Sequence, residues 1–182
     1  LILFKFIGKL RENDRVIEAA KQETDEILAT VQEGLFLLNR DFHLGGQVSA
    51  SLPKVLGRSV GPASNFLDLL QGMVPSTDFN ATRDYLELPF GDRVKESLVR
   101  ELNPLSEVEV RDRDERFGVR ARYLSFQFNR VLSAEQRISH LLVTVQDISE
   151  SVQLRQDLLA AKQIAKTEVE VLLDLLSVNP AL

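Results

Sequence analysis

Residues 141–150, Leu-Leu-Val-Thr-Val-Gln-Asp-Ile-Ser-Glu, run from a strand pattern straight into a helix pattern with no room for a loop. Leu141 to Val145 are apolar or β-branched, the composition of a buried strand. Ser149 is expected as the N-cap of the following helix, with Glu150 beside it favouring the positive end of the helix dipole. A strand joined this tightly to a helix passes strain from its sheet to whatever follows. Asp147 and Ser149 are therefore the candidate signal junction, and Arg120, Arg122 and Arg130 on the preceding strand are candidate partners for Asp147.

Helix patterns bracket the chain. Leu3, Phe6, Leu10, Asn13, Ile17, Ala20, Thr24, Ile27 and Val31 recur at spacings of three and four, a heptad seam of about four repeats. Asn13 and Thr24 weaken that seam but can set register. The competing reading is one amphipathic helix lying on its own domain. Downstream, Leu154, Leu158, Ala161, Ala165, Glu168, Leu172 and Leu175 form a second seam, read as a parallel dimer seam or as a helix folding back on the first, which ends before Asn179-Pro180. Leu10, Ile17, Ala20, Ile27, Leu158, Ala161 and Leu172 are the expected contacts of a homodimer, in which the helices are coiled coils.

Between the seams lies a strand-rich segment. Gly34–Leu38 reads as a strand, Asn39-Arg40-Asp41 as a turn, and 42–49 as a second strand with a bulge or a close backbone approach at Gly45-Gly46. Short helices are expected over 50–56, 65–74, 78–88 and 93–102, with Ser51 capping the first and Gly57 ending it. Ser76 or Asp78 would cap the third, and Pro89 would close it. Residues 106–112 alternate apolar and charged, followed by a charged turn at 113–116. Residues 118–132 alternate in two phases, Val119, Ala121, Tyr123 and then Leu124, Phe126, Phe128, which predicts a bulge near Tyr123. The order is α+β: one antiparallel five-stranded sheet, a block of short helices and a flanking helix at each end.

That order resembles the PAS sensory fold. Gly34–Asp41 is similar to its first strand and acidic turn, Leu52–Gly57 to its first short helix, and Asp147-Ile148-Ser149 to the terminal Asp-Ile-Thr motif with Ser in place of Thr. The resemblance covers residues 28–160 and departs at Val48-Ser49, where many members carry Asn. It implies a division into a helical linker over 1–31, a sensor domain over 32–150 and a signalling helix over 151–182. It also implies a bacterial signal-transduction parent, of histidine-kinase, two-component or chemotaxis-receptor type, with an output domain further along the chain. In that plan a small-molecule pocket lies between the sheet and the helices. Phe36, Leu38, Phe66, Leu70, Tyr85, Phe126, Phe128 and Val143 are its candidate walls. Apolar residues at such spacings mainly mean packing, so a filled core is the favoured alternative and a structural dimerisation spacer the alternative function.

Several chemistries lack their residues. With no cysteine, thiolate catalysis, disulfides and Cys-dependent flavin adducts have no atom to work with. No Trp is present to stack on a flavin. Neither of the two histidines, His43 and His140, lies in the helical block from which a haem ligand would come, and His140 sits in a strand rather than a phosphoacceptor helix. No phosphate-binding loop is present. The expectation is no cofactor and no catalysis by this chain, with an unidentified small molecule still allowed. The net charge of −5 and the lack of a basic cluster point away from nucleic acid. The apolar start, Leu1 to Ile7, reads as a packed helix end or the cytoplasmic end of a membrane anchor. A cytoplasmic location is expected, either free or as part of an inner-membrane protein, in a piece of a longer chain.

Overall fold

The computed structural model describes residues 2–61, 63–114 and 118–177. They form two compact units, Leu1–Asp147 and Ile148–Leu182. In the first, helix α1 (Ile2–Thr30) leads to β1 (Gly34–Leu38) and β2 (Leu44–Val48). Four short helices follow: α2 (Leu52–Leu56), α3 (Phe66–Leu70), α4 (Ser76–Tyr85) and α5 (Glu96–Glu101), with a 3-10 turn at Leu88–Phe90 before the last. Strands β3 (Val108–Asp114), β4 (Gly118–Leu132) and β5 (Ile138–Asp147) complete an antiparallel sheet of order β2-β1-β5-β4-β3.

The last strand in sequence is the centre of the sheet, and its Leu141, Val143 and Val145 are fully buried on the inward face. They pair with Leu38, Phe36 and Gly34 of β1 on one side and face β4 on the other. Alternate residues of β1, β4 and β5 turn inward against the short helices. Phe66 of α3 sits at the centre of that layer, with ring centroids 5.6 Å from Phe36, 5.9 Å from Phe126 and 6.1 Å from Phe128. Gly34 permits the close packing of α2, since a side chain there would meet Leu52 at 2.7 Å.

Several local expectations shift. Phe36 and Leu38 pair with Val48 and Leu44, so β2 carries extra residues around Gly45-Gly46 as the glycines suggested. The helices are shorter than their apolar patterns, because turns at 71–73, 86–87 and 92–94 break the ladder. Ser76 is the first residue of α4 rather than its cap, and Pro89 lies inside the 3-10 turn. Arg113 and Asp114 belong to β3, while 115–117 lie outside the described residues. No bulge occurs near Tyr123. The register with β3 runs unbroken past it, the pairing with β5 begins at Leu124, and the irregularity falls at Val131/Leu132. The phase change instead marks where the apolar face of β4 switches sides, which places Arg122 on the inner-facing parity shared with Leu124 and Phe126.

The seam of α1 is not spent on its own domain: Ile17 is 65% exposed and Ile27 57%. Ala20 is exposed as well, and the side chain of Leu10 lies outside the described residues. In the second unit, α6 (Ser149–Ser177) likewise leaves Leu158 and Leu172 exposed, at 55% and 59%, with Ala161 exposed between them. No helix among the described residues is long and apolar enough to cross a membrane.

Candidate functional site

The eight expected pocket residues divide into two groups. Phe36, Leu38, Phe66, Leu70 and Val143 are buried to within 2% and pack against one another as core. Tyr85, Phe126 and Phe128 also border a cleft of about 450 Å³, shared with Arg100, Asn103 and residues 125–129 of β4. The cleft exists because β3 is shorter than β4. Pairing between them stops at Val108 and Leu124, leaving residues 125–132 without a strand on that side. The turn after α5 fills the first place. There the Phe126 N–H donates to the Leu105 carbonyl at 2.8 Å, and Asn103 Nδ2 donates to the Phe126 carbonyl at 2.7 Å.

Tyr85 forms the cleft's inner wall. Its hydroxyl donates to the Val99 carbonyl at 2.8 Å, tying α4 to α5, and its ring meets Phe128 at 5.6 Å. Burial pushes the Tyr85 hydroxyl up to about 12, against the opposing pull of the Arg130 charge. Arg130 was a candidate partner for Asp147. Its guanidinium instead holds the segment between the 3-10 turn and α5, donating to the carbonyls of Pro89 at 2.7 Å, Val94 at 2.8 Å and Gly91 at 3.1 Å. Its inward parity on β4 was the available signal. The choice of carbonyls over a carboxylate depended on where the chain brought residues 89–94.

Asp147 pairs with Arg122, whose Nη1 lies 3.2 Å from Oδ2. The arginine side chain is only 16% exposed and the carboxylate 40%, so this pair is screened less than a surface pair. Arg120, the remaining candidate, has its side chain outside the described residues. One residue, Ile148, separates β5 from α6, and its carbonyl accepts the first helical bond from the Val152 N–H at 2.9 Å. Ser149 is thus the first residue of the helix, one place from the expected cap and within the normal spread of helix ends.

A second hub, unforeseen in the sequence, joins α1 to the sheet. Ser49 is fully buried; its Oγ accepts from the Leu35 N–H and donates to the Glu33 carbonyl, both at 2.8 Å. Ser51, expected to cap α2, makes no capping bond. Its hydroxyl lies 2.6 Å from the Glu33 carbonyl and 2.8 Å from that of Val31. The Ala50 N–H reaches the Leu28 carbonyl at the end of α1. From the same linker, Glu33 accepts a hydrogen bond from Gln146 Nε2 on β5. The end of α1, the start of β1 and the end of β5 are therefore linked by hydrogen bonds that run through residues 31–33 and 49–51.

Helices inserted between β2 and β3 and the strand order β2-β1-β5-β4-β3 recur in the solved structure of an RNA-binding light-oxygen-voltage receptor, with a TM-score of 0.51 at 14% identity over 82% of this chain. The chain has the PAS fold. It spans 38% of the length of that receptor. A sensory box histidine kinase/response regulator from Burkholderia thailandensis E264 aligns over 75% of this chain and 92% of its own, at 12% identity and a TM-score of 0.44. A PAS domain from a two-component sensor histidine kinase aligns over 71% and 97%, at 14% identity and 0.41. No protein-family model and no curated protein matches the sequence. Among the described residues, the cleft beside Tyr85 and the hub at Glu33, Ser49, Ser51 and Gln146 are two places where polar groups converge. Among the described residues, no cluster of His, Asp and Glu has the makings of a metal site.

Proposed function

We propose that this PAS domain is a sensory and dimerisation module, itself without catalytic activity, that relays a signal from an upstream helix to an output domain beyond α6. The hydrogen-bonded path from α1 to β5, through Ser49, Ser51 and the Glu33–Gln146 bond, carries this reading. A displacement of α1 pulls on Glu33 and so on Gln146, next to the Arg122–Asp147 pair, and β5 hands the strain to α6 across Ile148. Such a relay needs two arrangements of similar free energy that the incoming signal separates by differential contacts. The exposed seams of α1 and α6 are the surfaces on which a homodimer would close, and polar breaks in them would set register. The output is a histidine kinase or a related signalling domain, and the module works in the cytoplasm, free or below a membrane anchor. A small molecule held in the cleft beside Tyr85 would bias the relay. Flavin-adduct sensing is not part of this proposal, since no cysteine is present.

The test is made in the full-length parent. Gln146→Ala and Asp147→Ala, each shown to be folded by circular dichroism, are expected to leave output insensitive to stimulus. Output that responds as in the wild type in both variants would sink the relay. A second reading, a structural spacer, draws on the aromatic packing that fills the centre of the domain. Native mass spectrometry separates the two, because a small molecule retained on the purified protein excludes a purely structural spacer.

A further inference from the structure

The turn between β1 and β2 and the 3-10 segment border a cavity of about 310 Å³, lined by Arg40, Phe42, Glu87, Phe90 and Gly91. It shares no lining residue with the cleft beside Tyr85. The turn is held by the Asn39 side chain, which accepts from the N–H groups of Asp41 at 3.0 Å and His43 at 2.9 Å. Within it Phe42 has a φ of 60°, a left-handed conformation that Gly or Asn ordinarily takes, and a phenyl ring lines the cavity instead. The Arg40 guanidinium lies over the Phe90 ring, 5.4 Å from its centroid, and donates from Nη2 to the Ile138 carbonyl at 3.0 Å. Those contacts hold it in place while leaving Nε and Nη1 uncommitted, and no carboxylate pairs with it among the described residues. Glu87 follows the carbonyl end of α4, where a negative charge is disfavoured, and its side chain caps nothing in the 3-10 turn. Its carboxylate is exposed and has no hydrogen bond or ion pair among the described residues. Two opposite charges thus border one small space, both open to solvent, without pairing with each other.

We infer that this cavity binds a small zwitterion of the α-amino acid class with an apolar side chain, its carboxylate on Arg40, its ammonium on Glu87 and its side chain against Phe42 and Phe90. The charge pattern selects the class. A simple anion would be repelled by Glu87 and a simple cation by Arg40, whereas a molecule carrying both charges a few atoms apart satisfies both residues. Arg40 is placed in advance by the Phe90 ring and the Ile138 carbonyl, so little side-chain freedom is lost when its remaining donors meet a carboxylate. The far wall is fixed as well, since Arg130 holds the carbonyls of Pro89 and Gly91. Aromatic faces suit both an apolar side chain and a neighbouring ammonium group. The volume stands at the small end of ligand sites and suits one amino acid rather than a peptide.

The inference depends neither on the relay nor on the cleft beside Tyr85. To test it, the isotope-labelled 182-residue chain is titrated with L-leucine, with leucinamide, which lacks the carboxylate, and with N-acetyl-leucine, which lacks the ammonium. L-leucine should bind with a dissociation constant on the order of 0.1–1 mM, and the amide signals of Phe42 and Gly91 should shift together. Each analogue is expected to bind about tenfold more weakly. Glu87→Gln should weaken L-leucine about tenfold and leave N-acetyl-leucine unchanged, while Arg40→Gln should weaken L-leucine and leave leucinamide unchanged. Glu87 makes no contact that the fold needs, so its variant decides the matter even where Arg40→Gln unfolds. If L-leucine well above that concentration leaves Phe42 and Gly91 fixed, or if the shifts fall elsewhere on the domain, the site is wrong. If either analogue binds as well as L-leucine, or if Glu87→Gln binds L-leucine as the wild type does, the zwitterion assignment is overturned.

Discussion

Replacing Ser49 and Ser51 by Ala, singly and together, probes the hub that ties α1 to the sheet. Ser49 Oγ is the acceptor for the Leu35 N–H, so Ser49→Ala leaves that donor without its partner in a half-buried position. An orphaned backbone donor costs about 1–3 kcal/mol, and partial access to water places this one near ~1.5 kcal/mol. The Glu33 carbonyl does not become an orphan in that variant, because Ser51 still donates to it. In Ser51→Ala the same carbonyl keeps Ser49, and the half-buried Val31 carbonyl can turn to water. No helix cap is lost, since Ser51 makes none, and the expected cost is only ~0.5 kcal/mol. The double variant strips both donors from Glu33. It should therefore exceed the sum of the single variants by about 1 kcal/mol, a coupling typical of groups that share a partner. Urea unfolding followed by circular dichroism gives the three values, and amide exchange at Leu35 reports the orphan locally. Equal costs for the two single variants, or an additive double, would refute the assignment of Ser49 as the central member of the hub.

Three further outcomes follow from the same contacts. The Tyr85 hydroxyl is raised in the folded state, so its contribution is fully present below pH 10 and is lost as pH rises toward 12. Alkaline unfolding of the wild type should therefore steepen in that window by ~2 kcal/mol relative to Tyr85→Phe, and matching pH profiles would count against the burial argument. Arg130→Leu removes three charge-assisted bonds to the segment around Gly91 and should cost roughly 2–3 kcal/mol, with faster amide exchange over 91–99; unchanged exchange there would mean that the guanidinium positions nothing. Ile17→Asp with Ile27→Asp should abolish the proposed dimer by burying unpaired charge in its seam. Light scattering that finds a monomer for the unmodified chain at high micromolar concentration would defeat the dimer itself.

Much of the fold was legible because its signals are local. The apolar run at 34–38, the alternation through 118–132 and the β-branched stretch before Asp147 each specify a strand from a few neighbouring residues. The long helices show themselves by their periodicity. Element ends were less legible, since a serine or proline that could cap a helix also has other uses: Ser51 was read as a cap and turned out to bind α1's linker. The site divided in the same way. Phe36, Phe66 and Phe126 lie together in the structure, but a pattern cannot distinguish a wall from a packed core. That difference depends on whether volumes across the interior close up.

The order of elements, the inward face of the strands and the strand-to-helix junction at Asp147 could be read from the residues alone, because they depend on hydrophobic period and short-range turn chemistry. Which of the arginines meets Asp147, why Ser49 is buried and where β3 stops short of β4 were set by contacts between distant parts of the chain. Arg122 and Arg130 stand on the same face of the same strand, eight residues apart. One reaches a carboxylate at the end of β5 and the other three carbonyls around Gly91, and that choice was set by chain segments far away in sequence. The cleft beside β4 likewise has no local signature. It follows from how far β3, a separate stretch of chain, extends before it turns away.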